Sequence, residues 1–246
     1  MDMNIPLSAL WNLQLFRITG GLMMLIMCHN LYHSWFILVR KRQLLHILCF
    51  LMNLILTTLT LFVLLRDHLQ LSCNVYTGLF FSCHTVSVAF SGVILLVKAY
   101  YASGKSNLVL YGLIVIHTVS VATNIYAETQ IGVMYRPETT LCGNEISLPS
   151  FITSVATEFL FNLVVTFTFL IYIIRAYRRF SSNLYAVLVR DGMVAWIGTA
   201  ICRGVLAFTL FKSVNSLAVV FISISVLATS CIITLQLRHT LGKNRR

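Results

Sequence analysis

The stretch RKRQLLHILCFLMNLILTTLTLFVLL, residues 40–65, contains the two features that decide the fold. Three consecutive basic residues and Gln43 are followed by 22 residues, 44–65, that include no acid, lysine or arginine. A helix of about 20 apolar residues crosses the roughly 30 Å hydrocarbon core of a bilayer. The stretch therefore predicts a transmembrane helix whose first end carries a cluster of positive charge.

Apolar runs of similar length lie on both sides of this stretch, and together they predict seven transmembrane spans. We expect these spans to form one all-α membrane domain over residues 1–246, a seven-helix bundle. The composition agrees, because the chain is 58% hydrophobic and 10% charged, whereas soluble domains are about 25% charged. The predicted spans are 18–39, 44–65, 71–97, 108–127, 149–174, 192–211 and 214–236.

The basic residues occur mainly in every second connection between spans. Of the 18 lysines and arginines, 13 fall in the first, third and fifth connections and in the C-terminal tail. The positive-inside rule then predicts a cytoplasmic C-terminus and an N-terminus outside. The net charge of +11 lies in short connections rather than on one folded face, so we expect the lipid bilayer, and no nucleic acid, as its partner. The 13 residues are Arg40, Lys41, Arg42, Lys98, Lys105, Arg175, Arg178, Arg179, Arg190, Arg238, Lys243, Arg245 and Arg246.

Two of the seven cysteines lie on the predicted outer side. Cys73 opens the third span, and Cys142 lies in the long second outer connection. An oxidising compartment favours a disulfide between them, which would hold this connection over the bundle. The alternative is two free outer thiols. The other five lie in spans, where we expect small core residues; they are Cys28, Cys49, Cys83, Cys202 and Cys231.

A polar core within the spans is the candidate ligand pocket. Glu158 and Arg203 each lie about nine residues from the outer end of their spans, so they are expected at similar depth and can form an ion pair. Charges in a membrane span are costly and usually paired or functional. Asn162 lies one turn below Glu158 on the same helical face and is expected to join the network. A purely structural clamp remains the alternative.

Histidines add two further hypotheses. His84 and His117 both fall near the middle of the bilayer, where they can line a polar cavity or act as a pH-sensitive pair. Hydrogen-bonded structural histidines are the alternative. His29 and His33 have the i, i+4 spacing of a metal half-site, but a zinc site needs further ligands, and we expect no metal, no cofactor and no enzymatic activity.

The candidate coupling face lies on the cytoplasmic side. It comprises Lys98, Arg178, Arg179, Arg190 and Asp191. Asp191 opens the sixth span, where an acid is a good helix cap. A pairing of Asp191 with Lys98 at the inner end of the third span is the alternative.

Four short motifs resemble a fungal family of orphan seven-transmembrane, G-protein-coupled-receptor-like integral membrane proteins. They are KAY at 98–100, RAYRR at 175–179, LVRDG at 188–192 and CIITLQLR at 231–238. The resemblance runs from Cys73 to His239 and implies a receptor-like architecture. The chain lacks the acid–Arg–aromatic triplet and the prolines of better-known receptors, and the seventh span has no lysine for a retinal Schiff base.

Two function classes follow from this pattern. The first is an orphan plasma-membrane receptor that senses an unknown small-molecule ligand and signals to a cytoplasmic partner, a heterotrimeric G protein being the candidate. The second is a transporter or channel for a small solute or lipid, which would use the same polar residues as a pathway. The odd number of spans and the lack of an internal repeat or of Gly/Pro-broken helices argue against the second class.

Overall fold

The computed structural model describes residues 7–40, 42–65, 69, 71–136, 141–145, 147–180, 198, 224, 226–235 and 237. Within these ranges the fold is helical apart from one short hairpin. Five helices are long and apolar enough to cross a membrane, which is the architecture of a multi-pass membrane protein. They are α1 (Leu7–Arg40), α2 (Leu44–Leu64), α3 (Cys73–Ala102), α4 (Asn107–Thr129) and α5 (Leu148–Phe180); the strands β1 (Gly132–Arg136) and β2 (Leu141–Glu145) lie between α4 and α5.

These helices match the first five predicted spans. Pro149 lies in the first turn of α5. A backbone N–H at this position would have no partner within the helix, so proline is tolerated there. The predicted sixth span, 192–211, lies outside the described residues except residue 198. The described part of the seventh comprises residue 224 and the C-terminal segment, Val226–Leu235.

Helix α1 begins earlier than predicted, at Leu7 rather than at residue 18, and two other helices continue well past their predicted ends. Helix α5 has 33 residues and is therefore about 50 Å long, whereas the hydrocarbon core is about 30 Å thick. Its last turns carry the exposed Arg175 and Arg178. Helix α3 ends at Ala102, five residues after the predicted limit of 97. The basic ends of both helices thus continue past the apolar stretch.

Helix α3 is the centre of the described bundle. It packs against α2, α4 and α5, and also against both strands of the hairpin. Of the most apolar part of α3, 50% is buried, whereas the corresponding share is 22% in each of α1, α4 and α5. Serine and glycine residues along α3, such as Ser87, Ser91 and Gly92, permit this close approach because small side chains let helix backbones come together.

The connection between α3 and α4 is a tight turn. Gly104 has φ 72° and Lys105 has φ 65°. The Lys105 N–H donates to the Tyr100 carbonyl at 3.0 Å, and the Gly104 N–H donates to the Tyr101 carbonyl at 3.2 Å. This pair of bonds is the Schellman arrangement that ends a helix. It makes α3 and α4 antiparallel neighbours.

The hairpin β1–β2 occupies the second predicted outer connection. Its strands pair antiparallel, with Gly132 opposite Glu145 and Tyr135 opposite Cys142. The all-α prediction did not anticipate these strands, because the connection contains no apolar run. Since β1 and β2 pack on α3, the hairpin lies against the bundle rather than apart from it.

The expectation that every span cysteine is a core residue was wrong for Cys28. Cys49 and Cys83 are buried, with 1% and 9% exposure. Cys28 is exposed on α1, because its position faces away from the buried stripe that includes Met27 and Asn30.

Candidate functional site

The buried pair His84–Glu158 joins α3 to α5. His84 Nε2 lies 4.0 Å from Glu158 Oε2, and the two residues are 4% and 2% exposed. His84 is 11 residues from the start of α3 and Glu158 is 10 from the start of α5, so both lie about 16 Å into the bundle from the hairpin end. A carboxylate at this depth requires polar partners, and His84 is one of them.

Asn162 contacts Glu158 through the backbone rather than the carboxylate. Its Nδ2 donates to the Glu158 carbonyl oxygen at 3.0 Å. The Asn162 amide thus lies on the Glu158 side of α5 and bonds to the backbone of this helix. Arg203, the predicted partner of the Glu158 carboxylate, lies outside the described residues, so that ion pair remains a prediction.

His117 of α4 contacts both α3 and α5. Its Nε2 donates to the Ala89 carbonyl of α3 at 3.2 Å, because a carbonyl can only accept a hydrogen bond. Its ring lies 4.7 Å from the ring of Phe161, at an interplanar angle of 33°. Gly92 also lies close to the ring, since a Cβ added there would fall 2.5 Å from His117 Nδ1. The structure thus gives His117 and His84 different partners.

Two further polar contacts join the same three helices. Thr123 Oγ1 of α4 and Thr157 Oγ1 of α5 are 2.7 Å apart. The Thr85 hydroxyl of α3 donates to the Glu128 carboxylate near the end of α4. The sequence interpretation missed both contacts, although adjacency to His84 and Glu158 was an available signal for Thr85 and Thr157. We call the set formed by His84, Thr85, His117, Thr123, Glu128, Thr157 and Glu158 the α3–α4–α5 polar interface.

A second buried network joins α1, α2 and the C-terminal segment. Asn30 Nδ2 donates to Ser230 Oγ at 2.9 Å, and Ser230 Oγ donates to Asn53 Oδ1 at 2.7 Å. Asn53 Nδ2 donates to Thr234 Oγ1 at 3.2 Å. Exposures of these four residues are between 0% and 5%. None of these four residues is among the candidate site residues that the sequence indicates.

The outer cysteines are placed as follows. Cys73 is the first residue of α3, and its sulfur is disulfide-bonded. Cys142 lies on β2, which packs against α3. The side chain of Cys142 is outside the described residues, so its pairing with Cys73 remains a prediction.

The weak metal candidates are adjacent but incomplete. The rings of His29 and His33 have centroids 4.3 Å apart in an edge-to-face arrangement. Within the described ranges, no group of three or more His, Cys, Asp or Glu is arranged to hold a metal ion. Two imidazoles alone do not complete a zinc site.

The structure describes only part of the predicted cytoplasmic coupling face. Lys98 is half-buried near the end of α3, and Arg178 is exposed on α5. Arg179 belongs to α5, but its side chain lies outside the described residues, as do Arg190 and Asp191 altogether. The predicted cap and the predicted contact of Asp191 with Lys98 therefore stay predictions.

Comparison with known proteins assigns no family. No protein-family model matches the chain, and no curated protein matches it.

Proposed function

We propose that this protein is a seven-helix receptor of the plasma membrane with its N-terminus outside and its C-terminus in the cytoplasm. The observation that carries the proposal is the buried His84–Glu158 contact between α3 and α5. It lies in the half of the bundle nearest the hairpin, where a ligand entering from outside would arrive. The remaining spans and the orientation belong to the proposal and are supported by the charge pattern of the sequence.

The proposed ligand site is the α3–α4–α5 polar interface. Glu158 supplies a carboxylate, and His84 supplies an imidazole that can donate or accept a proton. Arg203 would complete the site from the sixth span. A small polar ligand that binds these groups better in one arrangement of α3 and α5 than in another would shift the population between the two arrangements.

Helix α5 would carry the signal to the cytoplasm. It contains Glu158 in its first half and the exposed Arg175 and Arg178 in its last turns. A displacement at Glu158 is therefore transmitted along one continuous helix to a basic surface. That surface, together with Lys98, is the proposed docking site for a heterotrimeric G protein.

The proposed lid is the hairpin, held to the start of α3 by a Cys73–Cys142 disulfide. The disulfide at Cys73 and the packing of β2 on α3 support this pairing. The resemblance to the fungal receptor-like family also remains part of the proposal. It rests on the four motifs alone, because the comparisons with known proteins give it no further support.

The decisive experiment is purification of the tagged protein from its native membrane, followed by detection of a G-protein α subunit. We expect an association that a non-hydrolysable GTP analogue abolishes. The matched variant is Glu158→Gln, which should retain expression and basal association but lose the response to ligand-containing extracts. Failure to capture an α subunit in either condition, together with solute flux in proteoliposomes, would contradict the receptor proposal.

A transporter is the second candidate. Thr123–Thr157 and Thr85–Glu128 are further polar contacts beside His84–Glu158, and such a series could hydrate to form a pathway. Proteoliposome flux that requires Glu158, with no nucleotide-sensitive association, would favour it.

A further inference from the structure

Helix α1 exposes a histidine in the middle of its long apolar stretch. His29 is exposed and lies nine residues from Gly20 and eleven from Arg40, the limits of the apolar stretch. Its neighbours on this face are Leu25, which is 70% exposed, and Tyr32, which is 64% exposed. Within the part of the chain that the structure describes, an imidazole thus points away from the other helices, near the middle of an apolar stretch.

The other described helices have ordinary lipid-facing surfaces. The central exposed residues of α2 are Leu51 and Leu54, and those of α4 are Val115 and Val119. Exposed hydroxyls on these helices, such as that of Thr118, are bonded to their own backbone. Among the described residues, His29 is the one histidine, lysine, arginine or acid exposed in the central part of a long helix.

An exposed imidazole at this depth calls for a hydrogen-bonding partner. Polar side chains within the membrane normally face other helices, because hydrocarbon offers neither donors nor acceptors. Neutral imidazole has one donor and one acceptor nitrogen, so it is complementary to a second imidazole. A two-fold axis places the same residue of two copies opposite each other. Because a histidine has both a donor and an acceptor, the two copies of His29 can bond to each other with no other residue type.

We propose that two copies of this chain associate through the exposed face of α1 about a two-fold axis, with the His29 imidazole of one copy donating a hydrogen bond to that of the other. The face consists of Leu25, His29, Tyr32 and Phe36. The His33 ring, 4.3 Å from the His29 ring, fixes the orientation of the imidazole from one turn below.

The charges at the end of α1 define where the two helices cross. Arg40 lies over the Phe36 ring, 3.7 Å from its centroid, and Arg42 follows in the connection. Two copies of this basic end repel each other when close. The helices therefore cross near His29, about 16 Å from Arg40, and diverge toward the cytoplasmic ends.

Cysteine crosslinking in the membrane tests this interface. Leu25→Cys in a Cys28→Ser background places a thiol on the face about one turn from His29, and copper-phenanthroline oxidation should give a dimer of twice the 27.8 kDa chain. The matched control is Val119→Cys in the same background, which is exposed at a similar depth on α4 and should remain monomeric. Mass spectrometry of the product identifies both partners.

His29→Leu, combined with Leu25→Cys, tests the hydrogen bond itself. Leucine suits the lipid, so the variant should fold, while dimerisation measured by energy transfer at increasing lipid dilution should weaken by about 3- to 30-fold. Equal crosslinking at Leu25→Cys and Val119→Cys, no crosslinking at either, or a crosslink to a different protein would overturn the proposal. Unchanged dimerisation of His29→Leu would remove the role assigned to His29.

Discussion

Gly92→Ala should destabilise the protein because the His117 ring occupies the space that a side chain would need. A Cβ on Gly92 would lie 2.5 Å from Nδ1 and 3.0 Å from Nε2 of His117. The ring has little freedom to withdraw, since its Nε2 is bonded to the Ala89 carbonyl and Phe161 lies against it. The perturbation therefore falls on the junction of α3, α4 and α5.

The magnitude follows from two opposing effects. Overpacking of a filled interior costs about 1–3 kcal/mol. Replacement of a helical glycine with alanine contributes about 0.5–1 kcal/mol of stability in its own right. Gly78→Ala provides a matched control on the same helix, because a Cβ there meets nothing within 4 Å. Gly92→Ala should thus be about 1–3 kcal/mol less stable than Gly78→Ala.

Thermal unfolding in detergent is the assay. The buried thiols of Cys49 and Cys83 become reactive toward a maleimide dye on unfolding, which gives the midpoint temperature. For a chain of this size 1 kcal/mol corresponds to about 2–4 °C, so the two midpoints should differ by roughly 2–12 °C. A Gly92→Ala variant as stable as Gly78→Ala would refute the placement of His117 against Gly92.

Three further predictions concern other parts of the chain. Asn53→Leu should lower the unfolding free energy by about 1–3 kcal/mol, because it leaves the buried Ser230 hydroxyl without its acceptor; no change in bicelle unfolding would contradict the buried network. Thr85→Val should lower the unfolding free energy by about 1–2 kcal/mol through loss of the hydrogen bond to Glu128. The same substitution should cost less in a Glu128→Gln background. A glycosylation sequon inserted at 137–140 should be modified in microsomes and one added at the C-terminus should not; the reverse pattern would contradict the proposed orientation.

The sequence predicts α1 to α5 well because the bilayer imposes a simple rule. A segment that crosses hydrocarbon must satisfy its backbone internally and present apolar side chains, so the pattern of hydropathy gives helix positions directly. The hairpin was missed because residues 132–145 lie outside this constraint. Its strands pack against α3, a contact that no local pattern in the connection reveals.

The candidate site was predicted less completely, for a geometric reason. Depth is readable from the sequence, since each residue adds about 1.5 Å, and His84 and Glu158 lie at similar distances, 11 and 10 residues, from the starts of their helices. Which side chains meet also depends on how each helix is rotated about its own axis and how far it is shifted along that axis relative to its neighbours. Glu128 was placed outside the membrane, yet it bonds Thr85, which lies 12 residues inside α3, because α3 extends beyond the end of α4.

Cys28 and Asn30 show the same limit on one helix. They are two residues apart in a single apolar run, but Cys28 is exposed while Asn30 is 5% exposed and bonded to Ser230. The apolar run contains no marker of which side faces the bundle, because lipid and protein interior are about equally apolar. Only the packing of neighbouring helices distinguishes the two faces.

A double-mutant cycle on His84 and Glu158 tests the central contact most directly. The unfolding free energies of the wild type, His84→Gln, Glu158→Gln and the double variant would be measured in lipid bicelles. The contact predicts a coupling of about 1–3 kcal/mol, with the double variant less damaged than the sum of the single variants. Additive effects within about 0.5 kcal/mol would show that the two side chains do not interact, and would remove the observation on which the proposed ligand site depends.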